Sequence, residues 1–368
     1  MQATRELDEH WMRRALELAA RGEGLTRPNP PVGAVVVREG RVVGEGWHRR
    51  AGDWHAERIA LAQAGELARG ATLYVTLEPC STQGRTPPCV PAILQAGIRR
   101  VVVATVDPNP RHRGRGVHWL RREGMAVEVG IGRAEARRLI EGFERWILTG
   151  RPWLTLKLAT TLDGRIADFR GRSRWITGAT ARRWVHAERR RADAILVGVG
   201  TVIADDPSLW PRPAHGRRPF RVVLDTWARI PRTARLLHDE HRDQTLIFVG
   251  RECPAGRRRR LEQTGARVVA VRTDASGRLT VEAVLEELGQ LGVLRVLCEG
   301  GGELAGTLIR ERWVDELLWL IAAKVFGADG RPALAGRGWA LEHAPQWRVV
   351  EVHTLGRDLG LRLRAAKG

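Results

Sequence analysis

His55-Ala56-Glu57, Pro79-Cys80 and, nine positions on, Cys89 constrain the fold of this chain more than any other feature, if the three donors serve one ion. One imidazole and two thiolates suit Zn2+, and three protein ligands with a fourth position open is how zinc is held where it activates water. The three pieces must then converge from different elements. The pattern predicts a helical stretch over 54–67, preceded by Asp53, that begins with His-Ala-Glu. It predicts a strand over 73–77 ending at Glu78-Pro79-Cys80, and a helix after Pro87-Pro88 running to Ala96 with Cys89 in its first turn. Helix N-termini favour negative charge, which supports a thiolate at Cys89 and a carboxylate at Glu57. Glu57 is left over as a general acid/base that takes a proton from water and passes it on.

Two plainer readings compete. His48 could serve as a fourth ligand in a closed structural site, but Glu57 would then have no purpose. The cysteines could also be merely buried. The order H-x-E, P-C and a further Cys is that of zinc nucleobase deaminases, in which the Glu is not a ligand. Their usual spacing is C-x-x-C; here eight residues, Ser81 to Pro88, lie between the cysteines.

The chain has 368 residues, 43% of them hydrophobic, which predicts two globular domains. No stretch approaches the roughly 20 apolar residues of a membrane span. The first 21 residues lack the apolar core of a secretory signal, so a cytoplasmic protein is expected. Four cysteines are too few for a disulfide scaffold, and Cys298 reads as a small core residue. The net charge of +19 is carried almost wholly by arginine, with lysine only at positions 157, 324 and 367. The arginine runs are dispersed and lack interleaved aromatics, so compositional bias ranks above nucleic-acid binding. The basic surface could still draw in small phosphorylated substrates.

In the first half, an amphipathic helix over 7–20 is followed by the breaker Pro28-Asn29-Pro30-Pro31. Strands over 32–37 and 42–47 flank Glu39-Gly40, a hairpin signal. Further strands over 101–106 and 126–129 alternate with helices over 118–123 and 133–148, giving a three-layer α/β domain with a mixed sheet. Thr149-Gly150-Arg151-Pro152 ends it, so domains over 1–149 and 150–368 are expected. The second half predicts another α/β sheet with an antiparallel end. Leu196-Val197-Gly198-Val199-Gly200-Thr201 and Cys298-Glu299-Gly300-Gly301-Gly302 are apolar-to-glycine turns at strand ends. Such turns let backbone amides approach a phosphate, or are simply tight turns; neither is G-x-G-x-x-G.

Thr26-Arg27-Pro28-Asn29-Pro30-Pro31-Val32-Gly33-Ala34, Gly46-Trp47-His48, the zinc motif with its long cysteine loop, and Asp107-Pro108-Asn109-Pro110 with Gly114-Arg115-Gly116 resemble one family. That family is the bifunctional riboflavin-biosynthesis deaminase–reductases, and the resemblance covers nearly the whole chain. The second half follows its pattern at Thr155-Leu156-Lys157-Leu158-Ala159, Leu162-Asp163-Gly164-Arg165, Ser173-Arg174-Trp175-Ile176-Thr177, Ala204-Asp205-Asp206-Pro207-Ser208-Leu209 and Leu224-Asp225-Thr226.

The resemblance implies a cytidine-deaminase-like N-terminal domain and a dihydrofolate-reductase-like, NADPH-dependent C-terminal domain. It implies zinc on His55, Cys80 and Cys89, with Glu57 catalytic. Ala159, Trp175, Thr201, Asp205, Thr226 and the turn Gly301, Gly302, Glu303, Leu304, Ala305, Gly306 would contact the dinucleotide. Ser173, Arg189, Leu209, Arg212 and Glu299 would contact the phosphoribosyl substrate, an arginine gripping the phosphate through two bonds. Lys157 and Asp205 are candidates for the proton donor of the reduction. By the same resemblance, 2,5-diamino-6-(5-phosphoribosylamino)pyrimidin-4-one loses its 2-amino group, and the ribosyl group is then reduced to ribityl. A small phosphorylated pyrimidine and a homo-oligomeric state are expected, with no nucleic acid or membrane as partner. Motif chemistry alone also permits a nucleoside, nucleotide or tRNA base deaminase with an unrelated fused domain.

Overall fold

The computed structural model describes residues 2–213 and 218–366. Two compact units divide the chain, 1–151 and 152–368.

The first unit runs α1 (Gln2–Ala20), β1 (Gly33–Arg38), β2 (Arg41–Trp47), α2 (Ala56–Ala64), β3 (Thr72–Leu77), α3 (Cys89–Gln95), β4 (Arg100–Thr105), α4 (Arg115–Arg122), β5 (Ala126–Val129) and α5 (Arg133–Thr149). Its sheet has the order β2-β1-β3-β4-β5, antiparallel from β2 to β3 and parallel from β3 to β5. The apolar runs are continuous because both faces are covered. Ala34, Val36, Leu73, Val75, Val101 and Val103 pack with α2, α3 and α4 on one face. Their alternates Val35, Val37, Tyr74, Val102 and Ala104 pack with residues of α1 and α5 on the other. The hairpin turn holds Glu39 at φ 51° and Gly40 at φ 71°, the two positive φ values that a tight hairpin requires.

The helix expected over 54–67 is shorter at its start. Trp54 is exposed, His55 is the extended N-cap, and residues 65–68 tighten into a 3-10 turn. Its seat is set by glycine: a Cβ on Gly44 or Gly46 would stand 2.1 and 2.3 Å from the carbonyl oxygens of Ala60 and Ala56. Backbone therefore meets backbone, and the first turn of α2 is pressed onto β2.

The second unit comprises β6 (Trp153–Thr161), β7 (Arg165–Ala167), α6 (Ala179–Arg191), β8 (Ala194–Gly198), α7 (Val199–Asp205), β9 (Phe220–Leu224), β10 (Thr245–Gly250), α8 (Ala255–Glu262), β11 (Arg267–Val271), α9 (Val281–Gln290), β12 (Arg295–Cys298), α10 (Gly302–Arg310), β13 (Glu316–Ala322), β14 (Arg331–Pro332), β15 (Trp347–Leu355) and β16 (Asp358–Ala365). The sheet order is β11-β10-β9-β8-β12-β6-β13-β16-β15, parallel through β13, with an antiparallel end made by β16 and β15. The strand β12 lies between β8 and β6, so the C-terminal ends of those three strands stand side by side. Cys298, at the end of β12, is fully buried as expected. The turn after β8 is instead a short helix, α7.

Candidate active site

In the first unit, α2, β3 and α3 deliver the three donors to one point. The ligand atoms of His55, Cys80 and Cys89 lie within 4.8 Å of one another. His55 Nδ1 is 3.4 Å from each sulfur. The other ring nitrogen, Nε2, lies 3.2 Å from Thr86 Oγ1, so it is Nδ1 that faces both sulfurs. The long cysteine loop closes on itself: the Cys80 carbonyl accepts the first two N–H groups of α3, Cys89 at 3.0 Å and Val90 at 3.2 Å. The eight residues between form an excursion that leaves the sulfurs together.

The thiols are already halfway to a ligand pair. A hydrogen bond from Cys89 is the largest effect on Cys80 and, with His55, brings its thiol to about 4 against the penalty of burial. The same hydrogen bond, with burial, pushes Cys89 upward. A divalent ion would displace that shared proton and stabilise both thiolates. The donor set therefore fits zinc.

His48 is not a fourth ligand. Asn29 Nδ2 donates to its Nε2 at 3.0 Å, so Nδ1 carries the proton and donates to the Trp54 carbonyl at 3.2 Å. Both ring nitrogens are used, and burial lowers its pKa, keeping it neutral. Glu57 is 3% exposed. Burial pushes its carboxyl upward, opposed by charge at His55, so it is suited to hold a proton.

These groups open into a cavity of about 370 Å³. Asn29, His48, Asp107, Asn109 and His112 supply polar wall, and Phe143, Trp146 and Ile147 of α5 supply apolar wall. Arg85, in the cysteine loop, is the permanent cation of the lining. Asn29, Asp107 and Asn109 lay within the quoted motifs without a role. The α5 residues had no signal beyond an amphipathic helix.

In the second unit, the ends of β8 and β12 bring two of the expected groups together. A Cβ on Gly301 would lie 3.9 Å from Thr201 Oγ1. Ser173 Oγ donates to Asp205 Oδ1 at 3.2 Å, and Arg174 is bonded to the Asp205 carbonyl. Trp175 is 64% exposed, with the Arg182 guanidinium 4.5 Å from its ring centre. Thr226 follows β9 and its carbonyl accepts Gly250 N–H at 3.0 Å; Ala159 lies in β6, packed with Val185 and Leu320.

Within 301–306 the residues differ in character. Ala305 and Leu304 pack in the core. A Cβ on Gly302 or Gly306 would stand 2.6 and 2.2 Å from the Pro332 and Ala335 carbonyl oxygens, so these glycines serve close packing. Gly301 and the exposed Glu303 remain at the helix start.

Glu299 is a buried carboxylate held by two cations. Arg189 Nε and Nη2 grip its carboxylate at 2.6 and 3.0 Å, and Lys157 Nζ lies 3.6 Å away. Burial alone would raise this carboxyl, but the charges of Arg189 and then Lys157 hold it at about 2. The two-bond grip expected of an arginine on phosphate is thus made on Glu299, and Arg189 Nη1 donates to the Trp210 carbonyl at 3.2 Å. The Leu209 side chain is buried in the core. Arg212 is exposed, its N–H donating to His186 Nδ1 at 3.2 Å.

Among the described residues, no helix is long and apolar enough to cross a membrane. Residues 5–105 match the cytidine and deoxycytidylate deaminase zinc-binding region, and residues 152–361 match the RibD C-terminal domain. The chain is 43% identical to riboflavin biosynthesis protein RibD of Aquifex aeolicus over 357 residues, 96% of this chain and 98% of that one. It is 40% identical to the Escherichia coli protein of the same name, over 98% of this chain and all of the other. Among solved structures, Acinetobacter baumannii RibD superimposes with a TM-score of 0.89 at 37% identity, over 99% of this chain and 100% of that one. A Thermotoga maritima diaminohydroxyphosphoribosylaminopyrimidine deaminase/5-amino-6-(5-phosphoribosylamino)uracil reductase gives 0.88 at 36%, with the same coverage. Carrying both matched regions along its whole length, the chain belongs to the RibD family, the bifunctional deaminase–reductases of riboflavin biosynthesis.

Proposed function

We propose that the first unit hydrolyses the 2-amino group of 2,5-diamino-6-(5-phosphoribosylamino)pyrimidin-4-one. The second unit then reduces the ribosyl group of 5-amino-6-(5-phosphoribosylamino)uracil to ribityl. The observation that carries the first step is the buried Glu57 carboxyl beside three converging ligands, opening on a cavity of a size for one pyrimidine. His55, Cys80 and Cys89 would hold one zinc ion per chain, which would supply a water acidic enough to react near neutral pH. Glu57 carries one proton of the attacking water to the ring nitrogen, then the remaining hydroxyl proton to the amine, which leaves as ammonia while the carbonyl forms. Asn29, Asp107 and Asn109 offer the polar atoms that orient a flat, many-edged base, and His48 holds the Asn29 amide in place. Arg85 is the group with the charge to meet a phosphate at the rim.

In the second unit, NADPH would supply the hydride. Thr201 and Gly301, at neighbouring strand ends, stand where the free N–H groups of the first turn of α10 can meet a cofactor phosphate. Glu299 locks Arg189 and Lys157 into one orientation, and Ser173 and Asp205 form a second fixed pair at the end of α7. The deciding assay measures ammonia release and NADPH oxidation with the diaminopyrimidine phosphate. Both are expected from the same chain; ammonia from cytidine or tRNA, with none from the diaminopyrimidine, would overturn the proposal.

A further inference from the structure

Glu78 lies between the strand that carries Cys80 and the loop that walls the cavity, and the chemistry above gives it no part. Its side chain is deeply buried, the residue being 4% exposed. One carboxylate oxygen accepts the N–H groups of Asp107 at 3.0 Å and Gly114 at 2.8 Å. The other accepts those of Gly116 at 2.8 Å and Val117 at 3.1 Å. Gly116 and Val117 belong to the first turn of α4, whose amides lack helical acceptors and whose dipole favours an anion. The same two segments touch again next door: a Cβ on Gly116 would lie 2.0 Å from the Pro79 carbonyl oxygen.

The segment clamped at both ends is 107–117, and it supplies Asp107, Asn109 and His112 to the cavity wall. Inside it, Asp107 Oδ1 accepts Asn109 N–H at 2.8 Å, and Asn109 Oδ1 accepts Arg111 N–H at 3.1 Å. Its far side is tied to the cysteine loop, where Thr82 Oγ1 lies 3.1 Å from His112 Nδ1. We propose that Glu78 is a positioning residue of the deaminase site, its carboxylate registering the 107–117 wall against the strand end that bears Cys80. Four N–H donors converging on one group require two oxygens. Glutamine offers one, and turns an NH2 towards the remaining two donors.

The inference rests on the proposed deamination for its kinetic readout, but not for its structural one. In Glu78→Gln, zinc per chain and NADPH oxidation with deaminated substrate are expected to hold, while KM for the diaminopyrimidine rises about tenfold or more and kcat changes little. Gly116→Ala, which opens the same junction from the other side, is expected to shift KM the same way. Hydrogen exchange at Gly114, Gly116 and Val117 should speed up in Glu78→Gln, whatever substrate the enzyme takes. Unchanged protection at those amides, or an unchanged KM in the zinc-loaded variant, would overturn the role. So would a fall in kcat and zinc content with KM unmoved, the signature of mere structural support. If the wild type released no ammonia from the diaminopyrimidine, the functional proposal would fall, and the exchange measurement would still decide the role of Glu78.

Discussion

Cys89 donates its backbone N–H to Cys80 at both ends of that residue, 3.0 Å to the carbonyl oxygen and 3.3 Å to the sulfur. Ligand spacing is thereby fixed by the start of α3 and not by the length of the loop. The metal should depend on the sulfurs themselves: Cys89→Ser or Cys80→Ser is expected to lose zinc, read by elemental analysis. Ammonia release should fall by about a hundredfold or more, since outer contacts alone account for 10–100-fold. NADPH oxidation should persist.

In the proposed deamination Glu57 moves protons and is not a metal ligand. Glu57→Gln should keep its zinc and lose roughly 10²–10⁴ of the deamination rate, the range for a positioned acid/base. Retained turnover in the zinc-loaded variant would remove Glu57 from that role.

Gly46 seats the helix that carries both His55 and Glu57. Gly46→Ala places a methyl 2.3 Å from the Ala56 carbonyl oxygen, and overpacking of this kind costs about 1–3 kcal/mol. A lower melting temperature together with weaker zinc retention is expected. Gly84→Ala, where an added Cβ meets nothing within 4 Å, should leave stability within about 0.5 kcal/mol.

Glu299 gives the second unit a defined response to acid. Its folded pKa of about 2 lies below the ordinary 4.5. Its contribution is therefore fully present above about pH 4.5 and is lost as pH falls through 2. Arg189→Met leaves a carboxylate whose side chain is 8% exposed with Lys157 as its remaining cation. Breaking such a pair costs about 3–5 kcal/mol at neutral pH. The deficit should narrow on acidification, as Glu299 takes up a proton. Denaturant unfolding of wild type and variant at pH 7 and pH 5 reads both effects, and a pH-independent deficit would count against the assignment.

Much of this was legible in the sequence because the signals were local. Apolar runs located the strands, and the paired prolines before Cys89 marked the start of α3. Glu39-Gly40 announced its turn through the φ values it had to adopt. Other features were not local. The segment 199–205 has two β-branched valines, a threonine, an isoleucine and a glycine, poor helix formers, and 196–201 reads as a turn at a strand end. Burial of Val199 and Val202 beneath β8 makes it a helix. Gly302 reads as part of a glycine turn, but nothing local announces that it and Gly306 also meet the carbonyls of Pro332 and Ala335, some thirty residues away.

The sequence by itself determined the donors: one imidazole, two thiols and a spare carboxylate, each at the start or end of an element its neighbours already specify. It also determined that two α/β units follow one another. Tertiary structure alone decided what those groups face. His48 is removed from the ligand set by Asn29 and Trp54, Arg189 is turned to Glu299, and Glu78 is surrounded by amides up to thirty-nine positions away. The physical reason is that element formation follows from short-range periodicity and capping. The charge state and hydrogen-bond partner of a buried polar group depend instead on whatever the packed chain brings within about 3 Å of it.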